Sequence, residues 1–171
     1  RVFLQMQKLK LSVVTSLFKS EAYVEEFYSR MCKSAANLFD ESFEIIFVDD
    51  GSPDNSAEKV TSLAKQDPRL RLIKLSRNFG HHNALHAGLE SSKGELVFLI
   101  DVDLEEQPEW LTEFYKKLNE QSLDVVYGKQ AIRKGRLFEK VTGLIWYKFM
   151  NVFSDIKHDN DITTARLMTR E

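Results

Sequence analysis

The stretch Glu95-Leu96-Val97-Phe98-Leu99-Ile100-Asp101-Val102-Asp103-Leu104-Glu105-Glu106-Gln107-Pro108 most constrains what this chain can fold into. Leu96 to Ile100 is an unbroken apolar run after a lysine-glycine turn. A short run of this kind reads as a strand buried on both faces, as in parallel sheets. The run ends abruptly in acid. In an extended chain, side chains two apart share a face, about 6–7 Å apart along the strand. Asp101 and Asp103 are therefore expected to point the same way, with Val102 opposite. Glu105 joins them where the chain stays extended. Carboxylates gathered at a strand's carboxyl end repel one another without a cation among them. A hard divalent ion with oxygen ligands is the natural occupant. The competing reading is a solvated acidic loop before a helix that begins near Pro108. A second acidic strand end, Asp49-Asp50, favours the site.

The rest of the chain alternates strands with helices. Leu11–Leu17 reads as the first strand, and Val24, Phe27, Met31, Ala35 and Leu38 mark a helix over roughly Glu21–Phe39. Phe43–Val48 is a second strand, running into Asp49-Asp50-Gly51-Ser52. Ser52 is the expected N-cap and Pro53 the first residue of the next helix. Leu70–Leu75 is a third strand. It is followed by the loop Arg77-Asn78-Phe79-Gly80 and a helix carrying Ala84, Leu85, Gly88 and Leu89. After the acidic strand come a helix from about Pro108 to Gln121, a strand over Leu123–Gly128, a long helical stretch over about Arg136–Phe153, and a sixth strand from Ile162 to Met168.

Alternation of this kind implies an α/β fold with a mostly parallel central sheet. In open sheets of this class, ligands bind outside the carboxyl ends of the strands. Ser16, Asp49, Asp50, Arg77, Asp101 and Asp103 all fall at such ends.

Several site classes are disfavoured. A dinucleotide fold needs Gly-x-Gly-x-x-Gly after the first strand. That position reads Thr15-Ser16-Leu17-Phe18-Lys19-Ser20. No Walker phosphate loop is present. A receiver domain would place its paired acids after the first strand, whereas here they follow the second. Asp101 and Asp103 are too similarly aimed to face each other across a glycosidic bond. What remains is a site that binds a diphosphate through a metal and holds a base and ribose with other acids. Asp49 or Asp50 suits hydrogen bonds from a base or ribose. Asp49–Ser52 also suits a plain helix-capping turn, and the two roles are compatible.

Composition bounds the partners and compartment. The chain of 171 residues fits a single domain over residues 1–171, and the net charge of -2 gives no reason to expect nucleic acid. The lone cysteine, Cys32, forms no intrachain disulfide, suits a reducing compartment and reads as packing. No apolar run is long enough to span a bilayer, and no signal peptide is visible. Arg1–Gln5 read as a tag remnant before Met6.

The ordered motifs resemble a known family. Ser12-Val13-Val14, Val48-Asp49-Asp50-Gly51-Ser52-Pro53-Asp54, Ser76-Arg77-Asn78-Phe79-Gly80 and Asp101-Val102-Asp103-Leu104 are similar to the family 2 glycosyltransferases of the GT-A fold. Asp124-Val125-Val126-Tyr127-Gly128 and Arg166-Leu167-Met168 extend the likeness to the polyprenyl-phosphate sugar transferases, the dolichyl-phosphate-mannose synthase type and bacterial relatives of O-antigen modification.

The resemblance implies a Rossmann-like three-layer sandwich. It also implies a metal-dependent, inverting transfer of a hexose from a nucleotide-diphosphate sugar, UDP- favoured over GDP-, to a polyprenyl-phosphate carrier at the cytoplasmic face of a membrane. The alternatives are transfer to a growing glycan and a nucleotide-binding module without transfer. It implies that Asp50 contacts the base and that Ser16 and Phe18 line the nucleotide pocket. Asp49, Arg77 and Gly80 complete the nucleotide-sugar site, and Asp101 contributes to it. Asp101, Asp103 and Glu105 would hold Mg²⁺ or Mn²⁺, with Asp103 the direct ligand. No base is evident, and a lipid-phosphate acceptor needs none.

Departures are also visible. The loop usually reading Pro-x-Tyr-Asn-Glu is Ser16-Leu17-Phe18-Lys19-Ser20, and Glu105 and Gln107 replace the usual glutamine and proline. His81-His82 stands where relatives often carry lysine, and reads as a helix start near a phosphate with no ligand role. Thr163-Thr164-Ala165 replaces Gly-Asp-Phe. Relatives continue past the last residue, Glu171, so truncation is expected.

On a helical wheel at about 100° per residue, Phe138, Val141, Ile145, Phe149 and Val152 share one face of 136–153, with Arg136 and Lys140 opposite and Lys148 at its edge. That pattern fits an interfacial helix on a membrane. It equally fits a helix packed on its own sheet or at the interface of a homo-oligomer.

Overall fold

A computed structural model describes residues 9–129 and 162–170. Its sheet has six strands: β1 (Leu11–Leu17), β2 (Phe43–Asp49), β3 (Leu70–Lys74), β4 (Leu96–Leu99), β5 (Val125–Lys129) and β6 (Ile162–Thr169). Four helices are described: α1 (Val24–Phe39), α2 (Ser56–Ala64), α3 (His81–Ser91) and α4 (Trp110–Glu120). The expected interfacial helix at 136–153 lies outside the described residues.

The sheet order is β3-β2-β1-β4-β6-β5. β1 pairs in parallel with β2 and β4, and β2 with β3. β6 is inserted antiparallel between β4 and β5. The sheet is thus mostly parallel, and the carboxyl ends of β1 to β4 open on one edge.

Alternation along the strands divides the core. Val13, Leu17, Ile45 and Phe47 face a cluster with Phe27 and Met31 of α1, Val60 of α2 and Leu111 and Phe114 of α4. Val14, Ile46 and Val48 face the other side, where Ala84 and Leu85 of α3 cover them. β2 is buried along its whole length, which explains the apolar run Ile45–Val48 within it. Burying each large side chain contributes about 1.5–3 kcal/mol. Gly88 lets α3 approach the sheet closely. A Cβ there would meet Val14 Cγ1 at 2.3 Å and Val48 Cγ2 at 3.0 Å. Cys32 on α1 packs partly buried against the larger cluster, and burial pushes its thiol up to about 11.

Two local expectations are corrected. Ser52 is not a helix cap: α2 begins at Ser56 after Asn55. Ser52 Oγ instead accepts the Lys19 N–H at 2.7 Å and donates to Asp54 Oδ1 at 2.7 Å. Asp54 Oδ2 in turn accepts the Glu21 N–H at 3.1 Å. Serine and aspartate here tie the β1–α1 loop to the β2–α2 loop, a long-range use of residues that also favour caps. The same bonding delays α1, which starts at Val24 rather than Glu21.

The second correction concerns the acidic stretch. β4 ends at Leu99 and the chain turns. Leu104 sits at φ 63, and Asp103 Oδ1 accepts the Glu105 N–H at 3.0 Å. Such a turn, closed by an aspartate on its own backbone, breaks the alternation of an extended strand. Asp101, Asp103 and Glu105 therefore do not share a face by strand geometry.

Candidate active site

A cleft of about 440 Å³ opens at the carboxyl edge of the sheet, lined by Ser16, Phe18, Ser20, His81, Asp101, Val102, Asp103 and Thr164. Ser16 and Phe18 come from the end of β1, Asp101 and Asp103 from the turn after β4, and Thr164 from β6. Parallel pairing of β1 with β4 sets the two ends side by side, and Ile100 N–H donates to Val14 O at 3.2 Å. Convergence of these residues follows from the sheet order.

His81 joins the two walls. Its Nδ1 shares a hydrogen bond of 2.8 Å with Ser16 Oγ, and its Nε2 lies 3.6 Å from Asp101 Oδ1. As the first residue of α3, it follows Gly80 at φ 94, a backbone geometry that glycine adopts without strain. Its place as the first residue of α3 agrees with the expected helix start. Its contacts with Ser16 and Asp101 are additional to that reading.

Asp49 and Asp50 lie at the end of β2 and are buried. Asp49 Oδ1 accepts the Ser52 N–H at 3.0 Å, closing the turn that Gly51 makes at φ 68. Asp50 accepts the N–H groups of Phe79 and Gly80, so it holds the Arg77–Gly80 loop. Neither carboxylate lines the cleft, and both are spent on backbone N–H groups of the neighbouring loops. Arg77 is exposed, and its guanidinium carbon sits 4.2 Å from the Phe79 ring centroid.

Glu105 is exposed and not among the residues lining the cleft. Its neighbour Glu106 is buried, accepting the Ala165 N–H at 3.0 Å and the Asp101 N–H at 3.4 Å. Burial raises the Glu106 carboxyl above the ordinary glutamate range, and the two N–H groups oppose that shift. Arg30 of α1 braces the far side of the turn, donating to Glu109 at 2.6 Å and to Gln107.

The donor set at the acidic turn fits a hard divalent ion. Asp101 and Asp103 present carboxylate oxygens to the cleft, and such ions fill remaining positions with water and phosphate oxygens. Among the described residues, no group of three carboxylate, histidine or cysteine side chains is assembled to hold an ion alone. An ion held by Asp101 and Asp103 would draw its remaining ligands from water or from a bound molecule.

Sequence reasoning missed Glu106 and Thr164 in the site. Nothing in a run of acids marks Glu106 as the buried one, since its partner Ala165 lies 59 residues away. For His81 a signal existed: it immediately follows the loop at the end of β3, on the binding edge of the sheet.

A mostly parallel sheet with one reversed strand, helices on both faces and an acidic turn at the cleft defines a GT-A glycosyltransferase fold. The chain belongs to glycosyl transferase family 2, whose family model matches residues 12–171. It is 45% identical over 163 residues to a protein of Mycobacterium tuberculosis (strain CDC 1551 / Oshkosh) described among putative glycosyltransferases, covering 95% of this chain and 47% of that one. It is 34% identical over 165 residues to the bactoprenol glucosyl transferase of Shigella phage SfV, covering 95% of this chain and 53% of the relative. The chain thus spans about half the length of these curated relatives. Among solved structures, S. aureus TarS 1-349 in complex with UDP-GlcNAc superposes with a TM-score of 0.60 at 26% identity, covering 74% of this chain and 36% of that one. The mannosyltransferase PcManGT from Pyrobaculum calidifontis, in complex with GDP-Man and Mn²⁺, shares the fold with a TM-score of 0.64 at 20% identity, over 96% of this chain and 46% of that one.

Proposed function

We propose that this domain transfers a hexose from a nucleotide-diphosphate sugar, UDP-linked in preference to GDP-linked, to a polyprenyl-phosphate carrier at the cytoplasmic face of a membrane, with inversion. One observation carries the reading: Asp101 and Asp103 open into the same cleft as Ser16 and Phe18. Likeness to bactoprenol glucosyl transferases supports the lipid acceptor.

In this reading Phe18, exposed beside the cleft, packs on the nucleoside. Ser16 and His81 donate to diphosphate oxygens. Asp50 and Gly80 set the loop that carries Arg77 toward the nucleotide, and Asp49 fixes the adjoining turn. Asp103 and Asp101 would hold Mg²⁺ or Mn²⁺, with Glu105 on the same turn as a further oxygen donor. When bound, the ion stabilises negative charge on the departing diphosphate as a Lewis acid. The acceptor phosphate oxygen is already anionic, so no side chain has to remove a proton from it. A hydroxyl acceptor would require a general base.

Calorimetry tests the binding half of this reading. UDP should bind in Mn²⁺ or Mg²⁺ and lose most of its affinity in chelator, and Asp103→Asn should weaken the metal-dependent part. Equal affinity in metal and in chelator would overturn it.

A further inference from the structure

The buried carboxylate of Glu106 lies behind the cleft, bonded to the backbone of its lining residue Asp101, and the proposed reaction gives it no role. It is 7% exposed and follows two exposed acids, Asp103 and Glu105, in the same turn. Burying a carboxylate is costly unless its oxygens are satisfied. Here Oε2 accepts the N–H of Asp101, and Oε1 accepts the N–H of Ala165 on β6. The two donors lie on different elements, the turn after β4 and strand β6. Asp101 itself lines the cleft, and Ala165 directly follows Thr164, which lines it from the neighbouring strand β6.

We propose that Glu106 is a positioning residue that fixes the Asp101 backbone to strand β6, so that the metal-and-diphosphate end of the cleft and its β6 wall hold one geometry. The inference rests on the proposed reading of Asp101 as a ligand of the metal–nucleotide complex. Glu106 itself touches neither. The rest of the turn has its own anchors: Asp103 on the Glu105 N–H, Gln107 Nε2 on Leu104 O at 3.0 Å, and Arg30 on Glu109. Loss of Glu106 therefore frees the Asp101–Ala165 link while the turn stays braced from α1.

Glu106→Gln keeps the shape of the side chain but turns one acceptor into an amide N–H₂, so one of the two backbone donors loses its partner. Partners one step removed from a metal ligand commonly cost about 10–100-fold in metal affinity when replaced.

The test measures Mn²⁺ affinity by electron paramagnetic resonance, in saturating UDP, for wild type, Glu106→Gln and Glu44→Gln. Glu44 is a control: a buried carboxylate at the other end of the sheet, bonded to Ser12 at 2.7 Å, Arg71 at 2.8 Å and the Lys93 N–H at 2.9 Å. Both variants should melt earlier than wild type. Only Glu106→Gln should lose Mn²⁺ affinity, by about tenfold. Equal affinity in all three, or equal losses in both variants, would overturn the positioning role. Wild type that binds no Mn²⁺·UDP would instead overturn the reading of the cleft, and this inference with it. Should Glu106→Gln fail to fold, amide exchange in wild type decides: Mn²⁺·UDP should slow exchange at Ala165, and an unchanged rate there would count against the proposal.

Discussion

Asp50 Oδ2 accepts the backbone N–H of Gly80 at 2.9 Å, and its Oδ1 accepts that of Phe79 at 2.7 Å. With only 2% of its surface exposed, Asp50 fixes the loop after β3 to the end of β2. The loop in turn delivers His81 to Ser16 and Asp101. A residue implied to read a base is therefore also the clamp that shapes one side of the cleft.

Asp50→Ala should accordingly lower stability as well as nucleotide affinity. Leaving backbone donors without their acceptor costs about 1–3 kcal/mol. Urea unfolding should show a loss of that order, and UDP affinity should fall with it. Unchanged stability with weakened binding would mean that Asp50 acts on the ligand alone.

The acid limb of stability should depend on Asp67. The Arg69 guanidinium beside it holds its carboxyl down at about 2, although burial opposes this. Arg69 Nη2 lies 2.7 Å from Asp67 Oδ2, and Tyr28 donates to the same oxygen at 3.0 Å. A carboxyl depressed on folding stabilises the fold above its unfolded value, about 3.9. That contribution, about 2 kcal/mol, disappears as pH falls through about 2. Asp54 shares the window: burial works against it, but the hydroxyls of Ser56 and Ser52 outweigh burial and bring it to about 2. Stability measured from pH 5 to pH 2 should fall, and Asp67→Asn should flatten part of that slope. An identical slope in the variant would remove Asp67 from the account.

Glu105 supplies a charge where the family resemblance implies glutamine. As a metal ligand, it should tighten the ion, so Glu105→Gln should retain turnover but shift the metal titration to higher concentration. A superimposable titration would show that Glu105 faces solvent in the loaded protein.

Much of this fold was legible because its signals are local. The runs Ile45–Val48 and Leu96–Ile100 are apolar because helices cover both faces of the central strands. The carboxyl-end rule then brought Ser16, Asp101 and Asp103 to one edge, where they line a single cleft. What failed was chemistry with two competing outlets. Ser52 has the residue type of an N-cap, but the Lys19 N–H, 33 residues away, captures its hydroxyl. The Asp-x-Asp-x-Glu alternation suits a strand, but Asp103 bonds the backbone of Glu105 and Leu104 takes a left-handed φ. The burial of Glu106 depends on β6, far along the chain, and no pattern in the acidic run encodes it.

Membrane contact is proposed to run through 136–153, where a helical wheel of the sequence would put Phe138, Ile145 and Phe149 on a face opposite Arg136 and Lys140. Among the described residues, no helix is long and apolar enough to cross a membrane. In a flotation assay the protein should rise with anionic liposomes, and Ile145→Glu should abolish this. Flotation indifferent to that change would assign the apolar face to protein packing.

The most direct test is transfer itself. The protein is given UDP-hexose labelled in the sugar, Mn²⁺ and a short polyprenyl phosphate, and the label is followed into the organic phase. Label should enter the lipid only when polyprenyl phosphate and metal are both present, and Asp103→Asn should reduce it severely. If the donor is consumed at the same rate without the lipid, and all label stays in water, the lipid-phosphate acceptor is contradicted.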